Sequence, residues 1–315
     1  MELLSTFFIF VSLRMIDNKK SICIVCNDAG GAEILSSFVL SRKIKPSYCL
    51  TGPALSIFKR KIGHISVCTI EHGVNVSDVL LCGTSWRSEL EWKAFKMARK
   101  KGKKTIAFLD HWGKYRNRFI RKGQECLPDE IVVGDSIANN IAKIKFPNML
   151  IHLIENPYFV EIKRELALFS HSYKRTLSAS QILYVCEPIR EHAYFQYGDE
   201  NYFGYVEEDA LRYFLSNVNL VSESIKNIVI RPHPSERPDK YTWILDEYDL
   251  PLKIVTNKTL VEQIALSDVV VGCESMAMFV GLLANKRVIS SIPPTGNPCV
   301  LPQKEIEKIS ELSNI

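Results

Sequence analysis

The sequence predicts an α/β protein made of two successive domains, each a parallel sheet covered by helices on both faces. Three observations predict it. The chain has 315 residues, roughly two domains' worth at about 150 residues each. Short runs rich in Val and Ile, apolar throughout and so buried on both sides, alternate with helix-like segments almost from end to end. That alternation pauses once, around Asn156-Pro157-Tyr158-Phe159, and then restarts. The two modules are expected to face each other across a cleft as Rossmann-like domains.

The first module reads as strand Ser21–Cys26, a polar turn Asn27-Asp28-Ala29-Gly30-Gly31, and an amphipathic stretch to Ser41. Tyr48–Thr51, Ser66–Ile70 and Asp78–Cys82 read as further strands. Ser85–Lys101 holds good helix formers and ends in a basic run before Gly102, a helix stop. Lys104–Leu109 and Glu130–Val133 complete the strands of this half. A mostly polar helix, Val160–Thr176, leads into the second module. There the expected order is strand Ile182–Cys186, helix Glu207–Ser222, strand Asn227–Arg231 and strand Lys253–Thr256. Helix Thr259–Ser267, strand Asp268–Gly272, helix Ser275–Ala284 and strand Arg287–Ser290 follow. The expected division is an apolar extension over 1–20, a first domain over 21–157, a linker helix over 158–178 and a second domain over 179–315.

Hydrophobic residues make up 46% and charged residues 24%, which excludes a disordered or fibrous chain. Lys plus Arg number 40 against 35 for Asp plus Glu, a net +5. This mild excess suits anionic ligands or a lipid surface and falls short of a dedicated nucleic-acid binder. The nine cysteines sit mostly inside apolar runs, as buried thiols do in a reducing cytosol. Cys23 and Cys26 spell C-x-x-C, but alternation along one strand turns them to opposite faces. No second pair or nearby His completes a metal site, so no metal is expected. Leu3–Leu13 is apolar yet well short of the ~20 residues that cross a membrane. Two readings of it stand: an accessory segment that packs on the protein or dips into an interface, or a stretch that precedes the biological start at Met15, since the first core strand begins only at Ser21. A cytoplasmic location, with peripheral contact at the inner face of the membrane, is expected.

Four segments carry candidate chemistry. Asn27-Asp28-Ala29-Gly30-Gly31 follows the first strand, where ligands of open α/β sheets bind. Gly30 and Gly31 permit close backbone approach, and the helix start favours an anion. Asp28, the only acid of that loop, is the leading general-base candidate. The second segment, Phe108 to Phe119, combines Asp110, His111, aromatic rings and the cations Lys114, Arg116 and Arg118. These are tools for holding an anionic sugar, with Asp110 as the second candidate base. In the third, strand Ile228–Ile230 runs into Arg231-Pro232-His233-Pro234-Ser235-Glu236. Two prolines fix His233 at a strand's carboxyl end, where imidazole can donate to a phosphate oxygen. Arg231, Ser235 and Glu236 flank it as binding candidates. In the fourth, Glu274 and Ser275 stand at a helix start, where amides and a hydroxyl can grip phosphate and the carboxylate can hold ribose hydroxyls. No G-x-G-x-x-G, Walker A or G-x-S-x-G motif is present.

The third and fourth segments together resemble nucleotide-sugar glycosyltransferases of the GT-B fold. Arg231-Pro232-His233-Pro234 is similar to the His-Pro motif of bacterial sialyl-, polysialyl- and Kdo transferases, which use CMP donors, and of teichoic-acid transferases, which use CDP donors. The resemblance implies that His233 contacts the donor phosphate and that Ser275, after Glu274, matches a later Ser/Thr cluster. It also implies an acidic N-domain motif of two acids and Gly; Asn27-Asp28-Ala29-Gly30 keeps one acid and inserts an Ala. Gly83-Thr84-Ser85-Trp86 through Asp110-His111-Trp112 and Arg118-Phe119 resembles uncharacterised proteins found beside surface-polysaccharide genes. The scaffold is shared with nonhydrolysing UDP-N-acetylglucosamine 2-epimerases and sugar-nucleotide hydrolases. Implied partners are a CMP- or CDP-linked donor and a glycan or lipid-linked acceptor, with no cofactor and no nucleic acid.

Because the β/α pattern starts only after Met15, deleting residues 1–14 is expected to leave the fold intact. Circular dichroism and thermal melting check this, and loss of vesicle binding alone would mark the segment as an interfacial anchor.

Overall fold

The computed structural model describes residues 19–86, 88–170 and 179–312. The apolar segment Leu3–Leu13, Met15 and residues 171–178 of the expected linker lie outside them. The described residues fall into two compact units, one ending at Glu161 and the other beginning at Ile162.

The first unit is built on β1 (Ile22–Cys26), β2 (Ser47–Leu50), β3 (Val79–Cys82) and β4 (Lys104–Phe108), followed by β7 (Glu130–Val133) and β8 (Leu150–Leu153). A two-stranded hairpin, β5 (Ile120–Arg121) and β6 (Gln124–Glu125), stands apart from the sheet. The six sheet strands lie in the order β2-β1-β3-β4-β7-β8, every pair parallel. Strand β1 is buried at every position, which is why its sequence shows no polar alternation. Helices Ala29–Arg42 and Gly52–Ile62 pack together over a core of Ile24, Leu35, Phe38, Phe58, Leu81 and Phe108.

The second unit repeats the plan with β9 (Ser180–Val185), β10 (Ile225–Arg231), β11 (Leu252–Ile254), β12 (Val269–Gly272), β13 (Arg287–Ser290) and β14 (Ile306–Lys308). Its order is β11-β10-β9-β12-β13-β14, again all parallel. Tyr184, Phe214, Ile228, Tyr241 and Val271 lie in its core. In each sheet the winding reverses once. The chain moves outward from β1 to β2 and returns to the other side of β1 at β3. Likewise it moves from β9 through β10 to β11 and returns beside β9 at β12. Such reversals open a crevice at the carboxyl ends of the two strands concerned.

Several elements differ from the sequence reading. Ser66–Ile70 is no strand: only Val67 bridges to Tyr48, and Thr69 then caps the helix Ile70–Val76 by accepting from the His72 amide. The helix expected from Ser85 begins at Leu90. Glu207–Ser222 divides into Glu207–Ser216 and Val218–Val221 at Asn217, whose side-chain amide donates to the Tyr213 carbonyl. Strands β8 and β14 went unread, being short, partly exposed edge strands. Ala29, Gly30 and Gly31 form the first helical turn and not a loop.

Helix Met276–Leu283 lies so close to its sheet that a Cβ on Gly281 would stand 3.0 Å from Val288 Cγ2 and 3.2 Å from Val270 Cβ. Gly281→Ala is therefore expected to lower stability by about 1–2 kcal/mol, since crowding outweighs the better helix propensity of Ala. Denaturant titration checks this.

Candidate functional site

In the first unit the winding reversal brings three strand ends together. Asp28 follows β1, Gly83-Thr84 follow β3 and Asp110 follows β4. Asp28 caps the helix Ala29–Arg42, its Oδ1 accepting from the Gly31 amide at 3.1 Å. Helix and β4 loop approach so closely that a Cβ on Gly30 would stand 2.0 Å from Asp110 Oδ2. A Cβ on Gly31 would stand 2.7 Å from Asp28 Oδ1 and 3.2 Å from Gly83 Cα. The two glycines thus serve close approach.

The acids of this cluster are held differently. Asp110 is ion-paired with Arg118, and Arg118 Nη1 also donates to Thr84 Oγ1 at 2.8 Å. Arg118 is itself buried. Burial pushes the Asp28 carboxyl up to about 7, and neighbouring Asp110 adds to the rise against the opposing pull of Arg118 and the Gly31 amide. His111 stands beside them with its pKa lowered by burial, and its Nδ1 accepts from the Gly113 amide at 3.1 Å. Trp112 is fixed by its indole N–H on the Asp135 carboxylate.

A third acid escaped the sequence reading. Glu91, 2% exposed, accepts the Asn27 amide at 2.8 Å through Oε1, while Oε2 has no hydrogen-bond partner among the described residues. Burial, with Asp28 adding to it, pushes its carboxyl up to about 8. Glu91 stands in a helix's first turn, where an acid is ordinary, so nothing in the sequence marked it.

In the second unit the reversal lies between β9 and β12. His233 and Ser235 follow β10, on the other side of β9. His233 Nδ1 lies 2.7 Å from Ser235 Oγ, and the His233 amide donates to Glu236 Oε2 at 2.8 Å. Glu236 is buried and also accepts from the Tyr241 hydroxyl at 2.7 Å and Lys240 Nζ at 2.8 Å, so it braces the loop. Arg231 Nη1 donates to the Lys258 carbonyl and to Gln263 Oε1.

Ser275 caps the helix Met276–Leu283, its Oγ accepting from the Ala277 amide at 3.1 Å. The amides of Cys273, Glu274 and Ser275, expected to grip a phosphate, all donate to Glu187 Oε1 at 3.1, 2.7 and 2.8 Å. Glu187 is the residue second after β9. Burial pushes its carboxyl up to about 7 against the pull of these amides. It also escaped the sequence reading, although its strand-end position, like that of Asp28, was the available signal. Glu274 Oε2 accepts from the Val300 amide at 3.1 Å. The structure therefore gathers Asp28, Gly30, Gly31, Asp110, His111 and Arg118 at one reversal. Arg231, His233, Ser235 and Glu236 stand at the end of β10, and Glu274 and Ser275 at the end of β12, on either side of β9.

No family model and no curated protein matches the chain. Solved structures do. The S. aureus MnaA–UDP structure aligns with a TM-score of 0.58 and 12% identity over 86% of this chain and 78% of that one. UDP-GlcNAc 2-epimerase from Neisseria meningitidis, bound to UDP-GlcNAc, aligns with a TM-score of 0.55 and 10% identity over 86% and 82%. An α-2,3-sialyltransferase from Photobacterium phosphoreum aligns at 0.49 and 11% over 93% and 100%. The first two likenesses show the fold: two Rossmann-like domains of GT-B type.

The Asp28 carboxyl has a pKa raised on folding, so its stabilising contribution is complete below about pH 4 and lost as pH rises through about 7. Asp28→Asn keeps the helix cap and removes the buried charge. It is expected to raise the melting temperature at pH 8 by about 2–4 °C, with the gain shrinking towards pH 4. Melting curves across that range check the sign.

Proposed function

We propose that the protein is a metal-independent glycosyltransferase of cell-surface polysaccharide biosynthesis that uses a CMP- or CDP-activated donor. The observation that carries this reading is the Asp28 carboxyl at the winding reversal, brought by burial and by Asp110 into the neutral range. Such a group can take a proton from an acceptor hydroxyl near pH 7. Asp110, aligned by Arg118 and Thr84, is the second candidate base. The deprotonated acceptor oxygen forms a bond to the anomeric carbon as the bond from that carbon to the donor phosphate oxygen breaks. His233 stabilises the phosphate as it leaves. Its loop is braced by Glu236, and Ser235 Oγ on Nδ1 orients the ring. Ser275 adds its hydroxyl and Glu274 the ribose contact. Arg231 adds positive charge, its guanidinium held by the Lys258 carbonyl and Gln263.

A second reading has one observation in its favour. Two buried carboxyls, Asp28 and Glu91, adjoin each other, and burial raises the pKa of both. That is the equipment of an acid–base pair acting on one substrate, as in a UDP-sugar 2-epimerase or sugar-nucleotide hydrolase. The structures with TM-scores of 0.58 and 0.55 hold UDP and UDP-GlcNAc. Thermal shift against CMP, CDP, UDP and GDP names the donor base, because a ligand that binds the native state raises the melting temperature. Nucleotide release that requires an added acceptor supports transfer, and release without acceptor or epimerised donor supports the second reading. Binding with no turnover would make the chain a sugar-nucleotide-binding subunit.

His233→Ala is expected to slow turnover by roughly 10²–10³-fold, the scale of losing one transition-state donor. Its melting temperature should barely change, because Pro232, Pro234 and Glu236 keep the loop. Steady-state kinetics on the folded variant checks this; near-normal turnover removes His233 from the mechanism. Activity that EDTA abolishes and magnesium or manganese restores would overturn metal independence.

A further inference from the structure

The structure gathers three thiols whose positions in the chain give no sign of a site. Cys23 comes from β1, Cys49 from β2 and Cys68 from the segment bridged to β2 through Val67. Cys49 Sγ lies 3.5 Å from Cys23 Sγ and 3.5 Å from Cys68 Sγ, and all three sulfurs lie within 4.8 Å of one another. We propose that Cys23, Cys49 and Cys68 form a three-thiolate site for a thiophilic divalent cation of the zinc class.

Geometry, access and second contacts support it. Tetrahedral zinc with bonds of about 2.3 Å to sulfur sets its ligands about 3.8 Å apart. The observed spacings need only adjustments of a few tenths of an ångström between the contacting pairs. Two thiols would suffice for a disulfide, whereas here the central sulfur touches two others at equal distance. Cys23 and Cys49 are buried and Cys68 is half-buried, so the site is enclosed on one side and open to an entering ion on the other. The helix Ile70–Val76 presents Gly73 to the sulfurs, where a Cβ would stand 2.6 Å from Cys23 Sγ and 2.7 Å from Cys49 Sγ. The Thr69 carbonyl, 3.2 Å from Cys49 Sγ, or a water reaching past Cys68 supplies a fourth oxygen ligand.

Zinc-class cations bind cysteine as thiolate, so binding replaces three thiol protons by one dication, leaves a net single negative charge and releases three protons to solvent. The site shares no residue with the cluster around Asp28 and Asp110, so its test does not depend on transferase or epimerase activity.

The experiment is titration of the reduced, full-length protein with Cd²⁺, read by sulfur-to-metal charge-transfer absorption, and with Zn²⁺, read by proton release and melting temperature. One ion per chain is expected. Cys68→Ser, at the half-buried position and so least disturbing to the fold, should weaken binding at least about 100-fold, as should Cys49→Ser. Cys299→Ser should bind normally. A folded protein without the absorption band, or a band unchanged in Cys68→Ser, overturns the proposal. So does a Cys49–Cys68 disulfide trapped by alkylation in freshly lysed cells.

Discussion

A parallel sheet delivers its strand ends and the following helix starts to one edge, and the helix amides gathered there must find acceptors. This protein answers with its own carboxylates. Asp28 takes the Gly31 amide at the first winding reversal, and Glu187 takes three amides at the second. The rest of each edge is arranged around these acids. Gly30 and Gly31 exist to let the helix come in over Asp110 and Asp28, and Arg118 and Thr84 hold Asp110. On the other sheet, Ser275 caps the helix whose preceding amides Glu187 has claimed.

The same arrangement sets stability against chemistry. Enclosed carboxyls with raised pKa values cost folding free energy whenever they ionise. Asp28, Glu91 and Glu187 all belong to this class. An incoming phosphate can claim the three amides of Cys273, Glu274 and Ser275 only if Glu187 releases them.

Strand content was legible because parallel strands buried on both faces read as unbroken apolar runs: Glu130–Val133 and Arg287–Ser290 have the same bounds in sequence and structure. The edge strands β8 and β14 lack that signal because they are half-solvated. Asp28 and Asp110 were each legible as strand-end acids, a property the chain displays locally, whereas their meeting depends on strand order. Glu91 and the thiols of Cys49 and Cys68 became neighbours of Asp28 and Cys23 only through strand order, which hydrophobic pattern does not encode. Glu187 stands just after its strand, where an acid is visible from position alone, yet no motif singled it out.

The distribution of thiols has a practical corollary. Seven of the nine cysteines are buried, and the two that reach solvent are Cys68 in the first unit and Cys299 in the second. Both have pKa values pushed up to about 11 by burial. In the metal-free chain, alkylating dyes will react slowly at neutral pH and faster in mild alkali. The natural sequence thus already carries one attachment point per unit for a donor–acceptor fluorophore pair, and the separation between units in solution becomes measurable without introducing a single cysteine.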